Sequence, residues 1–340
     1  MSNVKSELLV LMIVILGIGM SFAGDGQIDI AYLPYVINNH GSYVVTKDLE
    51  FPTSGTGGII INVGNVSVDL NGHTLIGPGK TSGIAISGIA AAVPIKNIVI
   101  RNGRICDWGS DGIFAYYASN SQFESLCCYN NGSHGIYAGY SSKITGNTCA
   151  SNGGDGMYLG SGTVIGNTCN LNGGNGIFVS TSSTIVNNVC TGNTGIGISG
   201  GYGSTIIGNS SYENQSHGIY SNSNSVLREN NCKGNYGNGI KVGAACLVTE
   251  NVSALNGSGS YDGAGIEAVS AGNTIEHNLV YFNDRGIDCN PATGNFIAGN
   301  RAKNNTTDYD IVAGNVWGQI VDMTAGGQIS TTDPYANFRY

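Results

Sequence analysis

Charge is what this 340-residue sequence has least of: Lys, Arg, Asp and Glu together make up 11%, with a formal net charge of −8. Nucleic-acid binding needs Lys and Arg for the phosphates. With 14 such residues and an isoelectric point near 5.0, that class is excluded. Proline occurs only 6 times and glycine follows no three-residue period, which excludes collagen. Good helix formers do not dominate either. Glycine (54) and asparagine (40) are abundant instead, and both are poor in helix interiors. A hydrophobic content of 41% and the modest net charge exclude disorder. What is left is a turn-rich all-β chain.

Long apolar runs are absent after residue 23. Before it, Lys5 precedes an apolar run from Leu8 to Met20, then Ser21-Phe22-Ala23. Small residues at 21 and 23 fit a secretory signal over residues 1–23, with a mature start near Gly24. An uncleaved anchor is the rival, but the run falls short of the ~20 apolar residues that span a bilayer. The expectation is a secreted protein, extracellular, periplasmic or on the cell surface, with no membrane segment after cleavage.

Two marks recur in phase. Glycine followed by an aliphatic residue appears at Ile113, Ile136, Met157, Ile177, Ile198, Ile219, Ile240, Ile266 and Ile287, with steps of 23, 21, 20, 21, 21, 21, 26 and 21 residues. Asparagine recurs at 147, 167, 188, 209, 230, 251, 278 and 300, and again five residues after each of the first six. Leucine-rich repeats share this length but need leucine runs and a helical or convex half. Here short apolar bursts alternate, as in Ile136 with Ala138 and Ile177 with Val179, which is strand spacing. Several three-residue strands per 21 residues, joined by Gly/Asn turns, make one coil of a parallel β-solenoid. Stacked asparagines would tolerate left-handed turns and bond to the coils above and below.

These repeats resemble the right-handed parallel β-helix proteins, the pectate-lyase-like superfamily that includes NosD-like periplasmic proteins. The resemblance runs from about Ile59 to Ile311 and is shared by the opening Gly41-Ser42-Tyr43 and Val66-Ser67-Val68-Asp69. It implies an all-β, right-handed parallel β-helix of about 11–12 coils over residues 59–315. Residues 24–58 and 316–340 would form the N- and C-terminal caps, shielding open strand edges. It says little about function, because the superfamily holds lyases, hydrolases, epimerases, adhesins and inert scaffolds.

Cys128, Cys149, Cys169, Cys190 and Cys232 share one repeat position, with Ser211 and Ser253 completing it. The position alternates inward, so a packed thiol stack is expected. Metal binding lacks C-x-x-C spacing or paired histidines, and stacked parallel strands give poor disulfide torsions.

Two other positions point to chemistry. One residue after each repeat aliphatic come Phe114, Tyr137, Tyr158, Phe178, Ser199, Tyr220, Lys241, Glu267 and Asp288, facing out. Stacked outward rings suit the flat C–H faces of sugars, although ring ladders also simply strengthen strand pairing. Two residues before each aliphatic come Asp111, His134 and Asp155, which coil stacking would place beside the rings. Their carboxylates would lie about 9.6 Å apart, near the separation of inverting glycosidases. In the polygalacturonase branch, catalytic Asp and His also precede glycine. The N-T-D and R-x-K motifs of that branch are absent, as are the lyase R-x-P-x-R and the epimerase D-P-H-D. Asp and His are also ordinary turn residues. Lys241, Asp262, Glu267, Arg285 and Asp288 form an alternative site near an inserted segment, 258–263. In several β-helix lyases a Lys or Arg base works with a carboxylate-held Ca2+, the one cofactor such chemistry would call for; the plain alternative is a solvated salt-bridge ladder.

Three functions compete. One is a monomeric secreted protein that recognises a neutral or weakly acidic polysaccharide and cleaves it as a hydrolase or lyase. The second is a non-catalytic surface scaffold or adhesion protein using the same face. The third, copper delivery, is poorly served by His40, His73, His134, His217, His277, Met157 and Met323. Short coils leave little chain for groove walls, which favours binding over turnover.

Overall fold

One repeat builds one coil. In residues 155–175 the short strands Met157–Leu159, Gly162–Ile165 and Thr168–Asn170 form three walls. The second and third are short because a left-handed residue ends each: Gly166 at φ 63° and Leu171 at φ 54°. Each wall pairs in parallel with the same wall of the next coil, as in Ile136↔Met157 and Met157↔Ile177. The computed structural model describes residues 26–52, 57–80, 87–257 and 263–340. The expected leader at 1–23, Asp262 and most of the inserted segment fall outside them.

Coil stacking produces a 13-stranded parallel sheet on one wall. A 26-stranded sheet covers the other two, joined where Ile98–Cys106 and Gln122–Tyr129 pair with strands of both. The repeat aliphatics from Ile113 to Ile287 point inward and are fully buried. Each such side chain contributes roughly 1.5–3 kcal/mol relative to exposure. Among the described residues no helix forms, and none is long and apolar enough to cross a membrane.

The solenoid begins before Ile59. Tyr35–Ile37 pairs with Ile59–Ile61, and Gly41–Val45 pairs with Val66–Asp69. This explains why the 13 strands exceed the 11–12 coils expected from the repeat marks: Tyr35–Ile37 lacks the Gly-aliphatic signature but keeps the alternation. At the far end Asn337 accepts from the amide of Asn300, so the last segment continues the same hydrogen-bond column.

The asparagine columns are buried and saturated. Asn167 Oδ1 accepts from both the backbone N–H and the side-chain amide of Asn147. Its own Nδ2 donates to Ile144 O and to Asn188 Oδ1. Two acceptor sites and two donors are all used. A second column, Asn131 through Asn305, repeats the pattern. The left-handed residue is the one before each asparagine, not the asparagine itself, which corrects the turn role expected for it: Gly166 before Asn167, Asn187 before Asn188. The buried amide caps the wall and its predecessor makes the turn.

Cys128, Cys149, Cys169 and Cys190 pair rung on rung, followed by Ser211, Cys232 and Ser253. All are fully buried and no disulfide forms. The stack is packing.

Candidate functional site

The outward position of the 13-stranded sheet forms one continuous row. Phe114, Tyr137, Tyr158, Phe178, Ser199, Tyr220, Lys241, Glu267 and Asp288 are paired rung by rung, and Asp310 extends the row by one. Ring centroids are 5.6 Å apart for Phe114–Tyr137, 4.6 Å for Tyr137–Tyr158 and 4.8 Å for Tyr158–Phe178. These separations follow the rung spacing of about 4.8 Å. The rings therefore cover one another and end half-buried. Burial, with Tyr158 beside it, pushes the Tyr137 phenol up to about 12, so it stays protonated as a hydrogen-bond donor.

Further aromatic surface comes from the turns. Tyr116, Tyr117 and Tyr140 lie in the turns after the strands Ile113–Ala115 and Ile136–Ala138. Tyr116 sits 5.0 Å from Tyr137, and Tyr117 sits 6.0 Å from Phe114. Tyr117 and Tyr140 are half exposed, at 50% and 51%. Tyr117 and Tyr140, like Tyr202, stand four residues after a repeat aliphatic, a position outside the two columns singled out in the sequence. The Tyr-Tyr pair inside a 23-residue coil was the available signal.

Asp111, His134 and Asp155 do fall beside the rings, and the fold already employs them. The backbone N–H of His134 donates to Asp111 Oδ1 at 2.8 Å, and that of Asp155 donates to His134 Nδ1 at 2.9 Å. Asn175 N–H donates to Asp155 Oδ1, and Ile196 N–H to Asn175 Oδ1. The series resumes with Asn238 N–H on His217 Nδ1 and Ala264 N–H on Asn238 Oδ1. Asp, Asn and His share one geometric feature: an acceptor atom at the δ1 position. That explains why just these three types alternate here, on a ladder of backbone caps. An Nδ1 that accepts carries no proton, so His217 is neutral with Nε2 protonated. Burial and then Lys241 lower the pKa of His217, in agreement.

Chemical capacity remains in what the ladder leaves over. Asp155 Oδ2 lies 3.6 Å from His134 Nδ1, and burial raises the Asp155 pKa. The His134 ring lies 5.1 Å from Tyr137 and 5.7 Å from Tyr158.

The lower end of the row is charged. Gln215, His217, Asn238, Lys241 and Glu267 line a concavity of about 440 Å³. Lys241 Nζ is 2.9 Å from Glu267 Oε2, which also accepts from Asn238 Nδ2. Below it Arg285 Nη1 pairs with Asp288, and Arg285 Nε lies 3.6 Å from Asp310. Asn238 and Asp310 were not legible as members of this cluster. Burial raises the Asp288 pKa despite the arginine. Among the described residues Glu267 and Asp288 are each paired with a cation, and no group of three His, Cys, Asp or Glu is placed to hold a metal ion.

Among solved structures the chain is similar to the A-module of Azotobacter vinelandii mannuronan C-5 epimerase AlgE4, with TM-score 0.60 at 12% identity, covering 85% of this chain and 89% of that one. The AlgE6 A-module from the same organism gives 0.57 at 13%, over 85% and 88%. The Dettilon tailspike protein gives 0.53 at 15%, over 92% and 61%. At these identities the likeness concerns the fold. A comparison with curated proteins returns no match. The family model described as right handed beta helix region matches residues 35–189 and 141–261, which together span most of the solenoid. The chain belongs to the right-handed β-helix family.

Proposed function

We propose that this protein is secreted, acts as a monomer and binds an extracellular polysaccharide along the outward row of the 13-stranded sheet. The observation that carries the reading is the aromatic patch built on Phe114, Tyr137, Tyr158 and Phe178 and widened by Tyr116, Tyr117 and Tyr140. Folding alone does not demand it, since Ser199, Lys241 and Glu267 occupy the same row on equally regular coils. Exposed Tyr117 and Tyr140 would stack on sugar rings, and protonated phenols would donate to hydroxyl groups. Tyr220 and the Lys241 concavity continue the path. The epimerase and tailspike likenesses support a polysaccharide as the partner class.

Cleavage is the second reading, favoured by the raised pKa of Asp155 beside His134, with Asp111 two rungs away. A protonated Asp155 would serve as general acid and Asp111 as the opposing carboxylate. Affinity electrophoresis against a polysaccharide panel, with reducing ends and unsaturated products followed in parallel, tests both. Retardation by at least one glycan, weakened tenfold or more in Tyr117→Ala, supports binding. Product formation abolished in Asp155→Asn establishes turnover. Wild type that is retarded by no glycan ends the proposal.

A further inference from the structure

The last coil carries a concavity that the outward row does not reach. It measures about 530 Å³ and is lined by Arg301, Met323, Ile329, Phe338 and Tyr340, with Gly326 and Gly327 at its lip. Phe338 pairs with Arg301 on one side and with Val321 on the other, so the three side chains form a row across the final strands. Leu279 precedes Arg301 in the same row. The floor is therefore apolar with one guanidinium set into it.

Two features set this place apart. Ile329 is 67% exposed, on a segment that follows two glycines at φ 75° and 124°. Those backbone angles are ones only glycine adopts easily, so the segment is held in a shape that leaves a large aliphatic side chain uncovered. The second feature is charge. Arg339 is paired with Asp322, but among the described residues Arg301 has no carboxylate partner. Lys303, two residues further along the strand, lies 4.9 Å over the Tyr340 ring. In a chain with so few cations, an unpaired guanidinium against uncovered Ile, Met and Phe invites a ligand that satisfies both.

We propose that this concavity binds an amphipathic anion: a carboxylate carrying an unbranched alkyl or aryl tail. The planar guanidinium of Arg301 would take the carboxylate in a two-pronged hydrogen bond. The tail would lie over Phe338, with the adaptable Met323 and the exposed Ile329 closing on it. The volume falls in the range of small-molecule sites. The inference is independent of the glycan-binding row.

Titration calorimetry on the full chain with decanoate below its micelle concentration, decanol and decyltrimethylammonium tests it. Decanoate is expected to saturate one site and to bind at least tenfold more tightly than either other probe. Arg301→Gln should weaken decanoate at least tenfold and leave decanol unchanged, whereas Ile329→Asp should weaken both. Both side chains are exposed, so the unfolding midpoint of each variant reports that the fold is intact. No saturable decanoate heat, equal affinity for decanol, or an Arg301→Gln variant like wild type would each overturn the proposal. Competition between decanoate and a glycan would overturn it too, by assigning the cavity to the polymer.

Discussion

The upper and lower halves of the outward row sit on the same backbone and carry opposite chemistry. From Phe114 to Phe178 every member is an uncharged ring, whereas from Lys241 to Asp310 every member is charged and paired with a partner. The inward neighbours do not change across the boundary: Ile177, Ile198, Ile219 and Ile240 are all fully buried. The β-helix thus fixes the inward side chains and the asparagine columns, and leaves the outward row free. Where a position is free, a run of four rings is what the proposed glycan-binding face rests on.

The largest effect should come from breaking what both halves share. Asn188→Ala removes the acceptor of the buried Asn167 backbone N–H, one of the two acceptors of the Asn167 side-chain amide, and a donor to each of Val164 O and Asn209 Oδ1. Unpaired buried groups cost about 1–3 kcal/mol each, so a loss of roughly 3–5 kcal/mol is expected by chemical denaturation. A loss below about 1 kcal/mol would mean the column is decoration.

Next come the two halves themselves. Tyr158→Ala removes ring contacts with Tyr137, Phe178 and His134 and should cost about 2 kcal/mol. Lys241→Met breaks a partly exposed ion pair and should cost about 1 kcal/mol or less. Equal losses would erase the distinction between a packed aromatic half and a loosely held charged half.

The cap ladder gives a finer test. Asp155→Asn keeps the Oδ1 acceptor for Asn175, whereas Asp155→Ala does not. Only the alanine variant should lose stability, by about 1–2 kcal/mol. Because burial raises the Asp155 pKa, the native state holds its proton to higher pH than the unfolded chain, and the charged form destabilises as pH rises through that pKa. Asp155→Asn should therefore be slightly more stable than wild type at pH 7, with the gain vanishing in acid. Thermal melts across pH 3–8 would read this (about that span brackets carboxylate titration).

His217 predicts the smallest change and the opposite slope. Its folded pKa is lowered, so its contribution is present above the unfolded value of about 6.5 and is lost as pH falls through the folded one. Protonation of Nδ1 would also forfeit the Asn238 N–H bond. His217→Asn keeps an acceptor and should flatten this part of the melting profile.

The sequence made the stacking legible because period and register are the same information in a solenoid. Asn147, Asn167 and Asn188 stand in one column, and so do Cys149, Cys169 and Cys190, as their spacing implied. Less was visible at the site. Tyr116, Tyr117 and Tyr140 lie in turns, where the repeat gives a position but not the direction of the side chain. The column of Asp111, His134 and Asp155 was visible as residue types, but its backbone caps depend on where one rung's δ1 atom meets the next rung's N–H. The first coils escaped notice because Ile28–Ile30 and Tyr35–Ile37 alternate without the glycine mark.

The central claim, that a glycan lies on the aromatic half of the row, is tested most directly by radical footprinting with and without a retarded polysaccharide. Tyr117 and Tyr140 should lose reactivity when the glycan is present, while the exposed Leu171 and Phe282 of another wall keep theirs. Unchanged tyrosine labelling, or protection only at Leu171 and Phe282, would contradict the account.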